Sequence, residues 1–245
     1  MARLLRILRR FWSTALAAEL EYQANALVEL LAVLGNLAGS LFVLSLLYGH
    51  GRELGGWSWD AALVVLGLYT LLDGITTCLL QPNLSKIVGH VQNGTLDFVL
   101  LKPIDSQLHL SARHISPWGL PGVLAGLVLI GWGMAQALPQ QHAAPSSALL
   151  GALPGPLLTG LTLLLAAAVI LYSLWFVLAA LSIWFVKIWN ATEVLRSLLG
   201  VGRYPLSAYP NSLRLLFTTL LPIAFLTTVP AEALLGRATP PWMLA

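Results

Sequence analysis

The chain has 245 residues, 58% hydrophobic and 9% charged, with a mean hydropathy of +0.80 and a formal net charge of +3. An ordinary soluble domain is about a quarter charged, so thirteen basic and ten acidic side chains cannot cover a water-facing surface of this length. Most of the surface must face lipid, and at roughly 20 residues per crossing helix the chain holds about five or six spans and no separate soluble catalytic domain.

Residues 1–24 begin MARLLRILRRFWS. Arginines at 3, 6, 9 and 10 interrupt the apolar residues, so the uninterrupted core of a secretory signal is absent. Leu5, Leu8 and Trp12 share one helical face, the pattern of a basic amphipathic helix lying in the membrane interface. Spans are expected over 26–48, 60–80, 118–138 and 157–185. Glu29 and Asn36 are the polar residues near the start of the first span, and Asp73 lies within the second. Short polar loops at 49–59 and 139–147 connect the spans, and the first holds His50, Arg52 and Glu53.

Orientation follows from the basic residues. The N-terminus carries its four arginines and residues 83–116 carry Lys86, Lys102 and Arg113, whereas the two short loops carry only Arg52. The positive-inside bias therefore places the N-terminus and 83–116 in the cytoplasm. The last sixty residues admit two readings. Hydropathy makes Lys187 to Arg214 a cytoplasmic loop and about 215–235 a fifth span. Pro205, Pro210, Pro222 and Pro230 instead favour a short span at 191–202 and a broken hairpin at 203–235 dipping into the outer leaflet.

Residues 83–103 read NLSKIVGHVQNGTLDFVLLKP. Asn83 after Pro82 resembles an N-cap, and Gly94 after Asn93 a left-handed C-terminal stop. Between them Leu84, Ile87, Val88 and Val91 fall at i, i+3, i+4 and i+7. The pattern predicts a helix over 83–93, too short to span, that rests on the headgroups or enters a groove of a partner.

The run Gly94-Thr-Leu-Asp-Phe98 with Leu100-Leu-Lys-Pro103 resembles the cytoplasmic signature of ABC-2 type permeases, the membrane subunits of ATP-driven exporters. Arg203-Tyr-Pro-Leu-Ser207, Tyr209-Pro210, Leu221-Pro222, Val229-Pro230 and Leu234-Leu-Gly-Arg237 are similar to the same family's region before its last span. The two regions stand in the family's order, and the resemblance runs along essentially the whole chain.

It implies an all-α integral membrane fold: a single ABC-2 (type V exporter-like) transmembrane domain over 1–245 with a six-helix plan. The 83–93 helix would be the coupling helix, with Leu84, Ile87, Val88, Val91, Gly94, Asp97, Lys102 and Pro103 engaging a separate ATPase subunit. Tyr204, Pro205, Pro210, Pro222 and Pro230 would shape the re-entrant hairpin, which favours the second topology. The family's final span would follow Arg237, but the chain stops at Ala245, so that span is expected to be absent. The implied function is a non-catalytic permease subunit of a bacterial exporter in the plasma membrane. It would pair with an identical or homologous permease, carry an amphipathic, lipid-like or drug-like substrate, and bind no nucleic acid. ATP and magnesium would sit on the ATPase.

No GxxxxGK[ST] pattern occurs, so energy is expected from a partner. Asp73 is a possible intramembrane polar site, and a proton-coupled secondary transporter using it is one alternative. A non-transporting scaffold docking through 83–116 is the other. Glu193 and Arg196, at i and i+3, are expected to pair. The lone Cys78 excludes a disulfide within one chain, and His90, His109 and His114 lack metal-ligand spacing. Trp57, Trp59, Trp118, Trp184 and Trp189 fall at predicted span ends and read as interfacial anchors.

Overall fold

The computed structural model describes residues 2–20, 23–49, 53–141, 154–185 and 191–237. His50, Arg52, most of the 139–147 loop, Lys187, Trp189 and the Pro240–Ala245 tail lie outside the described residues, as do the Leu5 and Leu8 side chains. In chain order the helices are α1 (Ala2–Leu20), α2 (Gln23–Tyr48), α3 (Trp59–Ile75), α4 (Gln81–Gln92), α5 (Leu96–Leu100) and α6 (Ser106–Ala112). They continue with α7 (Leu120–Gln141), α8 (Pro154–Leu181), α9 (Ala191–Leu199), α10 (Asn211–Thr219) and α11 (Thr228–Leu234). Among the described residues no strand forms; Leu54 and Trp57 make one isolated bridge.

Four helical runs are long and apolar enough to cross a membrane: Leu27–Tyr48, Trp59–Gln92, Pro117–Ala137 and Pro154–Leu181. Only 11% of the first is buried within the chain, against 72% of the second, so α2 offers Leu31, Phe42 and Leu46 outward while α3 is packed. An apolar exterior costs nothing in lipid, where the tails are as apolar as leucine.

The second run departs from expectation. A break was expected between a span at 60–80 and a separate helix from Asn83, but the helix runs unbroken from Trp59 to Gln92. A π-helical turn at Thr76–Leu80 joins α3 to α4, and the Gln81 N–H reaches back to the Thr76 carbonyl. Pro82 falls in the first turn of α4, where its missing N–H is tolerated.

The chain divides into two compact units, each gathered from three stretches of chain. The first comprises Met1–Gly35, Asp73–Val123 and Tyr172–Leu198, and the second Asn36–Leu72, Leu124–Leu171 and Leu199–Ala245.

In the second unit α3 buries two faces. Ala61, Val64, Val65 and Leu68 pack with Trp57, Ala137, Ala231, Leu234 and Leu235. Ala62, Leu63 and Leu66 pack with Leu44, flanked by Tyr48, Trp59 and Tyr204. Helices α3 and α7 meet backbone to backbone: a Cβ on Gly126 would lie 2.5 Å from the Leu71 nitrogen and 2.7 Å from the Gly67 carbonyl oxygen. The turn before α3 uses Gly55 (φ 58°) and Gly56 (φ 80°), and Leu54 and Trp57 exchange N–H···O bonds of 3.2 and 3.1 Å across it. Trp57 is thereby buried in the core rather than anchored at an interface.

The C-terminal third is broken, as its prolines require. Helix α9 has nine residues, and a 3-10 turn carries it to Arg203. At about 1.5 Å per residue, the described part of the span expected at 191–202 falls well short of a hydrocarbon core of about 30 Å. No continuous helix covers 215–235 either: α10 and the Ile223–Leu234 segment meet at a bend of 75°.

Candidate functional site

The first unit carries the polar segment between the second and third long helical runs. Its foundation is the π turn. In α-helical register the Cys78 carbonyl would face the N–H that Pro82 lacks, and it instead accepts from the Ser116 N–H at 2.9 Å. Asn83, 2% exposed, completes the bracket. Its Nδ2 donates to the Leu79 carbonyl at 2.6 Å and the His114 carbonyl at 2.7 Å, while its Oδ1 accepts from the His114 N–H at 2.8 Å. Asn83 is therefore a strut between chain segments and not a helix cap; Leu80, without a side-chain bond, holds the cap position.

Helix α4 ends in a Schellman motif. Gly94 takes φ 64°, the Thr95 N–H bonds the His90 carbonyl at 2.9 Å and the Gly94 N–H bonds that of Val91 at 3.2 Å. Leu84, Ile87 and Val88 are buried within the chain, and α4 packs on α6. The stripe expected to face a partner is thus turned inward within the chain. Val91 is half-buried.

What the segment offers outward is its tip. In α5 and the turn after it Phe98 is 69% exposed, Leu100 52% and Leu101 80%, while Val99 between them is buried. Gly94, Asp97, Lys102 and Pro103 are exposed around them.

Helix α6 holds this tip in place. Asp105 caps it by accepting the Leu108 N–H at 2.8 Å. Tyr172 of α8 receives Gln107 Nε2 at 3.1 Å and lies 2.8 Å from the Ser111 hydroxyl. The Trp12 indole of α1 donates to the Ala112 carbonyl at 3.0 Å, and Phe11 meets the His109 ring edge-on at 5.5 Å. His109 Nε2 lies 3.2 Å from Lys102 Nζ and 3.3 Å from Arg113 Nη1, both obligate donors, so Nε2 accepts and the ring is neutral. Burial and then Lys102, Arg113 and His90 push its pKa down. Burial, with Lys86 and Arg113 nearby, pushes His114 down to about 4.

Asp73 does not stand alone in the helix. Arg196 Nη2 reaches its Oδ1 at 3.5 Å and Thr77 Oγ1 at 3.4 Å, and Nη1 reaches Gln81 Oε1 at 3.2 Å. Asp73, Thr77 and Gln81 sit at i, i+4 and i+8, one stripe that a single guanidinium spans. The expected Glu193–Arg196 pair gives way to this one, because Arg196 is turned to α3 while Glu193 is exposed. Thr77 and Gln81 also line a cavity of about 380 Å³ with Glu29, Ser85, Ser116 and Trp118. Among the described residues no group of three His, Cys, Asp or Glu side chains is placed to hold a metal.

The proline-marked segment lies in the second unit. Pro205 and Pro230 are buried, Pro222 is half-buried and Pro210, at the start of α10, is exposed. Tyr204 packs against the cluster around Leu44 and Leu66. Arg203 donates to Ser40 Oγ and Tyr69 Oη, each at 3.3 Å, with its guanidinium 5.0 Å above the Tyr69 ring. The Leu206 N–H bonds Thr228 Oγ1 at 3.3 Å, tying the two arms of the segment together.

Asn83 as strut, Tyr172, Trp12, Arg196 and Arg203 carry roles that the sequence reading missed. Each acts across a long sequence separation, for which periodicity holds no signal. The Asp105 cap was detectable, since an Asp opening a short apolar-polar run after Lys-Pro-Ile is an N-terminal signal.

Long apolar helices joined by a pinned polar segment make this a multi-pass, all-α membrane protein. Residues 34–245 match the family model described as ABC-2 family transporter protein, so the chain belongs to that family and is a permease component of an ABC transporter. Neither a curated protein nor a solved structure matches it.

Proposed function

We propose that the chain is the export permease of a bacterial plasma-membrane transporter, with its N-terminus in the cytoplasm. A separate ATPase subunit, holding ATP and magnesium, docks on the tip at Phe98, Leu100 and Leu101, and a second permease subunit, identical or homologous, completes the translocation path. The observation that carries this reading is the tip itself: three large apolar side chains exposed on a polar connecting segment, anchored through α6 to α1, α4 and α8. A rigidly mounted tip transmits displacement, which a coupling element must do if its contact is to differ between nucleotide states. The 203–235 segment caps the path as a re-entrant element, and the substrate is amphipathic, lipid-like or drug-like, in keeping with the apolar spans. The proton-coupled reading loses ground, because the Asp73 carboxylate is engaged by the Arg196 guanidinium at 3.5 Å rather than standing alone in the helix. Co-expression with a candidate ABC ATPase subunit, co-purification, and substrate-stimulated ATP hydrolysis in nanodiscs test the proposal. A permease that copurifies with no ATPase and transports without one would refute it.

A further inference from the structure

One cavity of the second unit combines an apolar wall with an unpartnered carboxyl oxygen. It measures about 370 Å³ and is lined by Pro156, Thr159 and Leu163 of α8, Val229 and Glu232 of α11, and Arg237. That size lies within the roughly 300–1,000 Å³ of small-molecule sites. The two helices that line it approach closely, since a Cβ on Gly160 of α8 would fall 2.3 Å from Leu234 Cδ2 of α11.

The polar groups are unequally committed. The Thr159 hydroxyl donates to the Gly155 carbonyl at 2.9 Å. Arg237 stacks 4.6 Å above the Trp57 ring and donates to the Gly56 carbonyl at 3.4 Å. Glu232 Oε2, by contrast, is buried without any hydrogen-bond partner. A buried carboxylate oxygen lacking a donor calls for an explanation. Arg237 acts electrostatically on Glu232, but also on Glu53. Oε2 of Glu232 is thus an acceptor that no donor among the described residues fills.

We propose that this cavity binds an organic ammonium ion, whose N–H donates to Glu232 Oε2 while its apolar body lies against Pro156, Leu163 and Val229. A bare metal ion is not the match, since one carboxylate and an apolar wall offer too few oxygen ligands. An anion would meet the carboxylate. The inference concerns binding alone and does not rest on docking of an ATPase.

The test uses the full chain in nanodiscs, titrated calorimetrically with naphthylmethylammonium, with empty nanodiscs subtracted. Neutral naphthylmethanol and anionic naphthylacetate serve as matched probes. The ammonium is expected to bind saturably, the alcohol about tenfold or more weakly, and the acetate not at all. Glu232→Gln, nearly isosteric, is expected to weaken the ammonium by about tenfold or more. Leu163→Trp, which projects a bulkier side chain into the cavity and leaves the carboxylate, is expected to weaken binding, with melting curves confirming that the variants fold. Should Glu232→Gln fail to fold, Leu163→Trp decides alone. No saturable binding to the wild type, equal binding of the acetate, or unchanged affinity in a folded variant overturns the proposal.

Discussion

If the ATPase docks on the tip, Leu101 is the side chain whose loss is read most cleanly. Complete burial of a leucine is worth about 1.5–3 kcal/mol, and Leu101 is 80% exposed, so nearly all of that gain is available to a partner. Truncating it to alanine keeps part of the side chain, leaving a loss of about 1.4 kcal/mol, or about tenfold in affinity. Phe98, 69% exposed, adds a comparable loss. The double variant Phe98→Ala/Leu101→Ala should therefore bind the ATPase on the order of a hundredfold more weakly, with unchanged membrane yield and melting temperature, because neither side chain is packed inside the chain. The assay is a tagged-ATPase pull-down across a concentration series, with substrate-stimulated ATP hydrolysis as the second readout. Ile87→Asp is the contrasting control: Ile87 is 5% exposed, so a charge there lowers the yield of folded protein rather than acting at a docking surface. Wild-type affinity and wild-type hydrolysis in the double variant would refute the docking argument.

Asn83→Leu removes three side-chain hydrogen bonds and strands the His114 backbone, and should cost on the order of 3 kcal/mol in a melting assay in detergent; Asn83→Asp, which keeps the acceptor but sets a carboxylate oxygen against the Leu79 and His114 carbonyls, should cost at least as much, and equal stability of all three proteins would remove the strut. Acidification should loosen the first unit: with His114 near 4 folded and 6.5 unfolded, the unfolded chain binds the extra proton between those values, so stability present above pH 6.5 is lost as pH falls toward 4. Allowing for solvent screening at this half-buried ring, the loss is about 1 kcal/mol, and His114→Gln should flatten the dependence of melting temperature on pH. Gly126→Ala should destabilise the second unit by about 1–3 kcal/mol through overpacking, whereas Gly131→Ala on the same helix, with nothing within 4 Å of its Cβ, should be neutral; equal melting of the two would refute the close approach of α3 and α7.

The sequence was most legible where the signal is local. Hydrophobic runs located the four long apolar helices, and the Asn93-Gly94 pair marked where α4 stops, because a left-handed turn needs glycine at that one position. It was misleading where a local signal was overridden by a distant partner. Pro82-Asn83 reads as a helix start, yet Ser116 accommodates the proline and His114 claims the asparagine, so the helix continues. Glu193 and Arg196 have the spacing of a helical pair, yet Asp73, Thr77 and Gln81 offer Arg196 three acceptors on another helix. An apolar stripe on a short helix is equally compatible with burial under its own chain and with burial under a partner, and periodicity cannot separate the two.

The docking proposed for this segment moves accordingly, from the stripe on α4 to the tip. The 94–103 run carries the resemblance to the family signature, and its apolar members Phe98, Leu100 and Leu101 are exposed while Leu84, Ile87 and Val88 of α4 are buried. The division of labour has a mechanical sense. A docking element that is itself the packed core of its unit cannot yield to a partner without unfolding, and an exposed tip without anchorage would move without transmitting anything. Here the buried stripe, the Asn83 strut and the Tyr172 and Trp12 bonds supply rigidity, and the tip supplies contact. The π turn at Thr76–Leu80 lies where this rigid segment joins α3, beside the Asp73–Arg196 pair. On the proposed docking, force applied at Leu101 would reach the π turn through α4, where the helix already departs from regular α-helical hydrogen bonding.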